Sequence, residues 1–301
     1  MAAASRVYFP SGFQELFSIW NRLHDAVLYA GGTGNIRYNE TARTGRQIIS
    51  LDKLIELKNI SRTERYIEIG AMVTLNQIIR LGKIVPEALS RCLEQIEGPQ
   101  LRNLATIGGN ICNPYQRLDI TGPMIALDAQ YELRSEKSLR WIPAARFSPA
   151  YSDGFDGNEL LTRVRIPLEQ WTFTWYRKFK TPKGDRFAGN IVLLIKNHRD
   201  ILTGIRVLYR GEAVLRNSNS ETLLEGKRLP LDRKDAAAFV DSWRNYLANL
   251  DRIGSRSEAP GGEASPGPNT IFQAETINLT PEMIKTQIIN FMEATISRIS
   301  E

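Results

Sequence analysis

The chain has 301 residues, enough for two domains with cores of their own, and its 42% hydrophobic and 24% charged content excludes a disordered chain, a collagen-like repeat and a small disulfide scaffold. Two cysteines, Cys92 and Cys112, and two histidines, His24 and His198, exclude a four-thiolate iron–sulfur cluster, a cysteine-rich zinc site and a histidine-rich metal site on this chain. The net charge of +6 comes from scattered Lys and Arg without a long basic run, so no nucleic-acid partner is expected.

In chain order, Ser11 to Leu23 carries Phe13, Leu16, Phe17, Trp20 and Leu23 at helical spacing, with Ser11 as the expected N-cap. Ala26 to Ala30 and Gln47 to Leu51 read as short strands, and Leu54 to Leu57 as one helical turn, making a small α/β lobe. Tyr66 to Gly70 alternates like a strand, and helices are expected over Leu75 to Leu81 and Pro86 to Ile96. Gly98 to Pro114 is a polar, glycine-rich stretch. Met124 to Ala129 is helical or buried, Gln130 to Arg134 a strand, and Trp141 to Pro143 with Leu160 to Pro167 complete a second lobe, Pro167 suiting an edge or a lobe boundary. Phe173 to Phe179, Ile191 to Ile195 and Ile205 to Tyr209 are strands of a hairpin or meander turning over Asn197 to Asp200. Lys234 to Leu250 is an amphipathic helix with Phe239, Trp243, Tyr246 and Leu247 apolar. Residues 254–269 are a flexible loop by composition, and Thr280 with Pro281 opens a last helix. No apolar run has the length of a membrane span, and the first ten residues lack a signal peptide, so a soluble, cytoplasmic protein is expected.

Two glycine clusters carry the chemistry. Ala30-Gly-Gly-Thr-Gly-Asn35 directly follows a buried strand. Glycines there let backbone N–H groups approach an anion closely, and Thr33 adds a hydroxyl. It is neither a Gly-x-Gly-x-x-Gly fingerprint nor a P-loop, and taken alone it also reads as a tight turn. Thr106-Ile-Gly-Gly-Asn110, preceded by Arg102 and Asn103, is a second cluster of the same kind, whose Gly108, Gly109 and Asn110 amides are candidate donors. Together the two suit one diphosphate, as in a dinucleotide at a lobe junction. Asp119 is placed to accept from ribose or ribityl hydroxyls, or else to cap the following helix. Lys178 suits a phosphate or a reduced anionic ring, or else is a solvated cation on a strand.

The order of these motifs resembles the FAD-binding medium subunit of the molybdenum hydroxylases, the xanthine dehydrogenase and carbon monoxide dehydrogenase family. The resemblance rests on Leu28-Tyr-Ala-Gly-Gly-Thr33, Ile69-Gly-Ala-Met-Val-Thr74, Gln100-Leu-Arg-Asn-Leu-Ala-Thr-Ile-Gly-Gly-Asn-Ile111, Asp119, Ala126-Leu-Asp-Ala129, Leu161 to Pro167, Tyr176-Arg-Lys178, Ile205-Arg-Val207 and Glu221-Thr-Leu-Leu-Glu-Gly226. It implies an α+β protein: a two-lobed FAD domain of the vanillyl-alcohol oxidase type over 1–171 (lobes 1–57 and 58–171), then a smaller C-terminal α/β domain with an antiparallel sheet over 172–301. It implies that Tyr29, Ala30, Gly31, Gly32, Thr33, Gly34 and Asn35, with Thr106, Ile107, Gly108, Gly109 and Asn110, hold the FAD diphosphate, and that Arg102 is a further cofactor-binding residue. Asp119 then binds ribityl hydroxyls, Ile96 and Leu161 pack near the cofactor, and Lys178 reaches the flavin. No catalytic acid or base and no metal ligand is assigned. The resemblance also implies partners: a [2Fe–2S] small subunit and a molybdenum-cofactor large subunit in a heterotrimer or its dimer, with NAD⁺ or another electron acceptor. A stand-alone FAD oxidase and a flavin-free assembly subunit are the alternatives. Gly34-Asn35 departs from the polar residue the family often has after Gly-Gly-Thr, and the 254–269 stretch departs from its usual C-terminal pattern.

Overall fold

A computed structural model describes residues 6–23, 26–34, 47–96, 98–113, 119–147, 158–180, 187–211 and 214–254, with positions 286, 289, 290 and 293. The chain divides into two units, Met1–Glu169 and Gln170–Glu301. His24, Asn35, the 254–269 stretch beyond Gly254 and the start of the helix expected at Thr280 lie outside the described residues.

Among the described residues, the first unit holds two sheets. β1 (Val7–Tyr8), β2 (Val27–Tyr29) and β3 (Ile48–Ser50) run parallel in the order β1-β3-β2. Between β1 and β2, α1 (Phe13–Arg22) buries Leu16 and Phe17. Its N-cap is Gly12 rather than the expected Ser11. Ser11 instead donates its amide and hydroxyl to the Glu15 carboxylate at 2.8 and 2.9 Å, so it orders the first turn as a donor. A parallel sheet gathers its ligand-facing loops at the carboxyl ends of the strands, and the Gly31–Gly34 loop, helical in backbone from Thr33, leaves β2 at that end.

The second sheet is antiparallel, with β4 (Ile60–Arg62), β5 (Tyr66–Gly70), β6 (Gln130–Arg134), β7 (Leu139–Pro143) and β8 (Leu160–Pro167) in the order β4-β5-β8-β6-β7. β8 is interior, so Pro167 marks neither an edge strand nor a broken ladder; it closes the strand opposite Tyr66, two residues before the unit ends. Ile67, Ile69, Tyr131, Leu133, Val164 and Ile166 are buried on one face. The other face is charged: Arg163 and Arg165 bind Glu68 at 2.7 Å, and the Arg165 guanidinium stacks over Trp141 at 3.9 Å and Tyr66 at 4.7 Å.

Among the described residues, five α-helices accompany this sheet in sequence: α2 (Leu75–Arg80), α3 (Glu87–Glu94), α4 (Pro99–Arg102), α5 (Ile107–Ile111) and α6 (Thr121–Ala126). The polar, glycine-rich stretch that begins at Gly98 contains two short helices. Pro99 starts one, and the Thr106 hydroxyl caps the other by accepting from Gly109 N at 3.0 Å. α3 packs on α2 and α6, and α5 packs on β8.

The second unit is a meander, β9 (Phe173–Lys180), β10 (Phe187–His198), β11 (Ile201–Arg210) and β12 (Val214–Arg216), covered by α7 (Ser218–Leu224) and α8 (Arg233–Gly254). Its hairpin turn is tighter than expected. Asn197 and His198 stay in β10, and Arg199 and Asp200 make the turn with φ of 49° and 62°, the two-residue geometry that follows strand twist. α8 buries Phe239, Val240, Trp243 and Leu247 against Ile191, Leu193, Val207 and Tyr209. Glu221 accepts from Val207 N at 3.0 Å and pairs with Arg216 at 2.8 Å, which gives Glu221 a structural role tying α7 to β11 and β12.

Candidate cofactor site

The two glycine clusters, distant in sequence, meet in the first unit. Gly31 lies flat against the Leu104 carbonyl, and any Cβ there would collide with that oxygen and with the Leu104 carbonyl carbon at 2.7 Å. A Cβ on Gly109 would stand 3.8 Å from the Ala30 Cβ, and one on Gly34 would stand 2.5 Å from Asn113 Nδ2. Gly32 adopts φ +72°, which only glycine takes without strain, and the Tyr29 ring folds over it. Gly108 seats α5 on the turn after β5: a Cβ there would approach the Ala71 Cβ to 2.7 Å and its carbonyl oxygen to 2.8 Å. Thr74 and Thr106 bridge, with Leu75 N donating to Ala105 O at 2.9 Å and Ile107 N to Val73 O at 3.0 Å.

The two clusters do different work. Among the described residues, the amides of Gly32, Thr33 and Gly34 find no acceptor, so the first loop presents a run of open donors. In the second cluster, contrary to the expectation from sequence, the amides are already committed. Gly108 N donates to Ala71 O, Gly109 N to Thr106 Oγ1 and Asn110 N to Thr106 O, at 2.9 to 3.0 Å. What this cluster leaves open is the side-chain carbonyl of Asn110, whose Oδ1 is buried without a protein partner; Thr121 Oγ1 on α6 is in the same condition. Two buried acceptors lacking donors are costly unless a ligand supplies them.

The remaining expected residues fall as follows. Arg102 Nη1 donates to Glu94 O at 2.8 Å and Ile96 O at 3.3 Å, so this arginine closes the end of α3 and fixes the turn holding buried Ile96. Asp119 precedes α6, its carbonyl accepting from the Cys92 thiol at 3.3 Å. Ile107 and Leu161 are buried, Leu161 opposite Leu133 on β6. Lys178 belongs to the second unit, half-buried on β9 opposite Asn190. Burial pushes the Cys112 thiol up to about 12, so it is neutral at ordinary pH. The sequence reading assigned no role to Leu104 and Ala71, although both stand inside its motifs, nor to Asn113, because all three act through backbone or close contact. Thr121 sits beside Asp119, and its hydroxyl was the one readable signal.

These contacts fit a cofactor with a diphosphate and a polyol: open amides for the anion, a glycine surface that admits it, and buried acceptors wanting hydroxyl donors. Residues 3–169 match the family model described as the FAD binding domain in molybdopterin dehydrogenase. This chain belongs to that family. FAD is accordingly its cofactor.

The chain is 27% identical over 225 residues to the carbon monoxide dehydrogenase medium chain of Hydrogenophaga pseudoflava, covering 71% of this chain and 77% of that one. It is 35% identical over 148 residues to the xanthine dehydrogenase FAD-binding subunit of Escherichia coli O157:H7, covering 47% of this chain and only 50% of that one. Among solved structures, the fold matches carbon monoxide dehydrogenase of H. pseudoflava with a TM-score of 0.76 at 22% identity, over 100% of this chain and 98% of the other. It matches quinoline 2-oxidoreductase of Pseudomonas putida 86 with a TM-score of 0.75 at 18% identity, over the whole of both chains. Among the described residues no helix is long and apolar enough to cross a membrane.

Proposed function

We propose that this chain is the flavin-bearing electron-transfer subunit of a molybdenum-containing hydroxylase. The molybdenum cofactor and [2Fe–2S] clusters lie on partner subunits, and NAD⁺ or another acceptor is the electron sink. Residues 1–171 form the FAD domain and 172–301 the smaller C-terminal domain. The observation that carries the reading is the meeting of Gly31 with Leu104, which brings a segment of open amides against the cluster that carries Asn110.

When bound, FAD supplies the one- and two-electron redox chemistry that no amino-acid side chain offers. The protein's own part is binding and orientation. The Gly32, Thr33 and Gly34 amides hold the diphosphate, with the Thr33 hydroxyl as a further donor. Asn110 Oδ1 and Thr121 Oγ1 accept from cofactor hydroxyls, and Asp119 stands at the head of α6 for the same purpose. Tyr29 and Thr106 shape the loops, and Arg102 and Ile96 keep the intervening turn in place. No side chain need transfer a proton.

The test is the visible absorption spectrum of the natively purified protein, followed by heat release and identification of the cofactor. A two-banded flavin spectrum with FAD in the supernatant is expected, with iron–sulfur and molybdenum subunits co-purifying. A colourless protein that also fails to take up added FAD overturns the reading. Flavin without partners, but with substrate-dependent reduction, would instead identify a stand-alone oxidase.

A further inference from the structure

The pairing of β8 with β6 contains one irregularity. Glu132 faces Arg163 and Leu133 faces Leu161, so Thr162 is the extra residue of a β-bulge on an interior strand. Bulges re-aim a side chain or a carbonyl, and they concentrate beside functional sites. Here the Thr162 hydroxyl donates to the Glu132 carboxylate at 2.6 Å, with the Glu132 carbonyl oxygen at 3.2 Å. Both residues are buried. The Thr162 carbonyl accepts from Ala71 N at 2.9 Å, and the Ala71 carbonyl accepts from Gly108 N at 2.9 Å.

A continuous relay therefore runs from Glu132 through Thr162 and Ala71 to the first turn of α5. The far end has no slack, because Gly108 is packed on Ala71 so closely that even a methyl would intrude. The near end is anchored by charge. Arg163 Nη2 lies 3.8 Å from Glu132 Oε1, while its Nη1 binds Glu68 Oε2 at 2.7 Å. A valine at 162 would fill the same volume as threonine. What the hydroxyl adds, at the desolvation cost of a buried carboxylate, is a fixed direction for the Thr162 carbonyl.

We infer that Thr162 and Glu132 are positioning residues for the cofactor cradle: by locking the bulge they set the placement of Gly108–Asn110 against the Gly31–Gly34 loop, and thereby how tightly FAD is retained. The inference rests on the FAD reading for its functional half.

The test uses the full chain in four forms: wild type, Thr162→Val, Thr162→Ser and Glu159→Gln. Glu159 is a buried carboxylate paired with Arg140 at 2.7 Å in the same unit but outside the relay, so it controls for general loss of stability. Two quantities are read: native-state hydrogen exchange of individual amides without cofactor, and FAD affinity by quenching of flavin fluorescence. Thr162→Val is expected to speed exchange at Ala71 and Gly108 at least tenfold relative to Ile67 and Ile69 of β5, and to weaken FAD binding at least tenfold. Thr162→Ser restores both, and Glu159→Gln changes neither selectively. Should Thr162→Val fail to fold, Glu132→Gln takes its place, with the same selective pattern expected at smaller amplitude.

Wild-type exchange at Gly108 in the valine variant, or acceleration spread evenly over the unit as in Glu159→Gln, overturns the relay. Selective acceleration with undiminished FAD affinity overturns its link to the cofactor. If wild type itself binds no FAD while the exchange pattern appears, the FAD reading fails and the relay stands as a purely structural device.

Discussion

A methyl group at Gly31 has nowhere to go. The Leu104 carbonyl occupies its place, and moving either segment separates the two glycine clusters. Gly31→Ala is therefore expected to cost about 1–3 kcal/mol by overpacking, and to lower the flavin-to-protein ratio of the purified chain well below wild type. Urea denaturation and absorption read the two effects separately. Gly32→Ala fails for a different reason: φ +72° costs about 1–2 kcal/mol for a residue with a Cβ. Glu68 makes a prediction about pH. Burial alone pushes its carboxyl up, but the hydrogen bonds from Arg163 and Arg165 outweigh burial and hold it below the ordinary 4.5. Because the folded value is the lower one, the stabilisation is complete above the ordinary value and is lost as pH falls through the folded one. Thermal unfolding between neutral and acid pH is expected to show a shallower acid limb in Glu68→Gln than in wild type.

At the level of elements, two helices are held by quite different means. α2 depends on a local device: Thr74 Oγ1 accepts from Gln77 N at 3.3 Å, and Gln77 Oε1 accepts from Thr74 N at 2.8 Å. Thr74→Ala is expected to cost about 1 kcal/mol in chemical denaturation. α8 depends on burial. Trp243 is fully enclosed in the core of the second unit, and Trp243→Ala is expected to cost about 3–5 kcal/mol, read the same way. These two elements also mark what the sequence discloses. α1, α2, α3 and α8 announce themselves by periodicity, and β5, β6 and β9 by alternation, because their own residues decide them. α4 and α5 do not, since four or five residues cannot sustain a helix alone. Their shape comes from Pro99, from the Thr106 cap and from the backbone of Ala71 and Val73 across the fold. The same holds for the site. Gly31–Gly34 was legible because glycine is chemically distinctive, whereas the amides of Gly108 and Gly109 looked equally available. Only the structure reveals that the protein itself consumes them, leaving the Asn110 side chain as the open group.

At the scale of the whole molecule, the open amides of Gly32 to Gly34 and the unmatched Asn110 and Thr121 acceptors lie in the first unit, so saturation by FAD is a stability term of that unit. At a hundred times its dissociation constant, a ligand binding only the folded form adds about 2.7 kcal/mol. A thermal-shift titration with FAD should show a midpoint that climbs steadily with concentration, and in Gly31→Ala the midpoint should barely respond. One consequence of the Gly31–Leu104 contact concerns time rather than energy at equilibrium. A loop of roughly 70 residues must close before the two segments touch, and for a flexible chain that closure carries an entropic cost of about 4 kcal/mol. The helices and hairpins on either side are assembled from near neighbours, so they can form while the cradle is still open. The cradle, like the pairing of β5 with β8, is thus among the late events of folding, and a newly made chain passes through a stage with its local helices and hairpins in place and no grip on flavin.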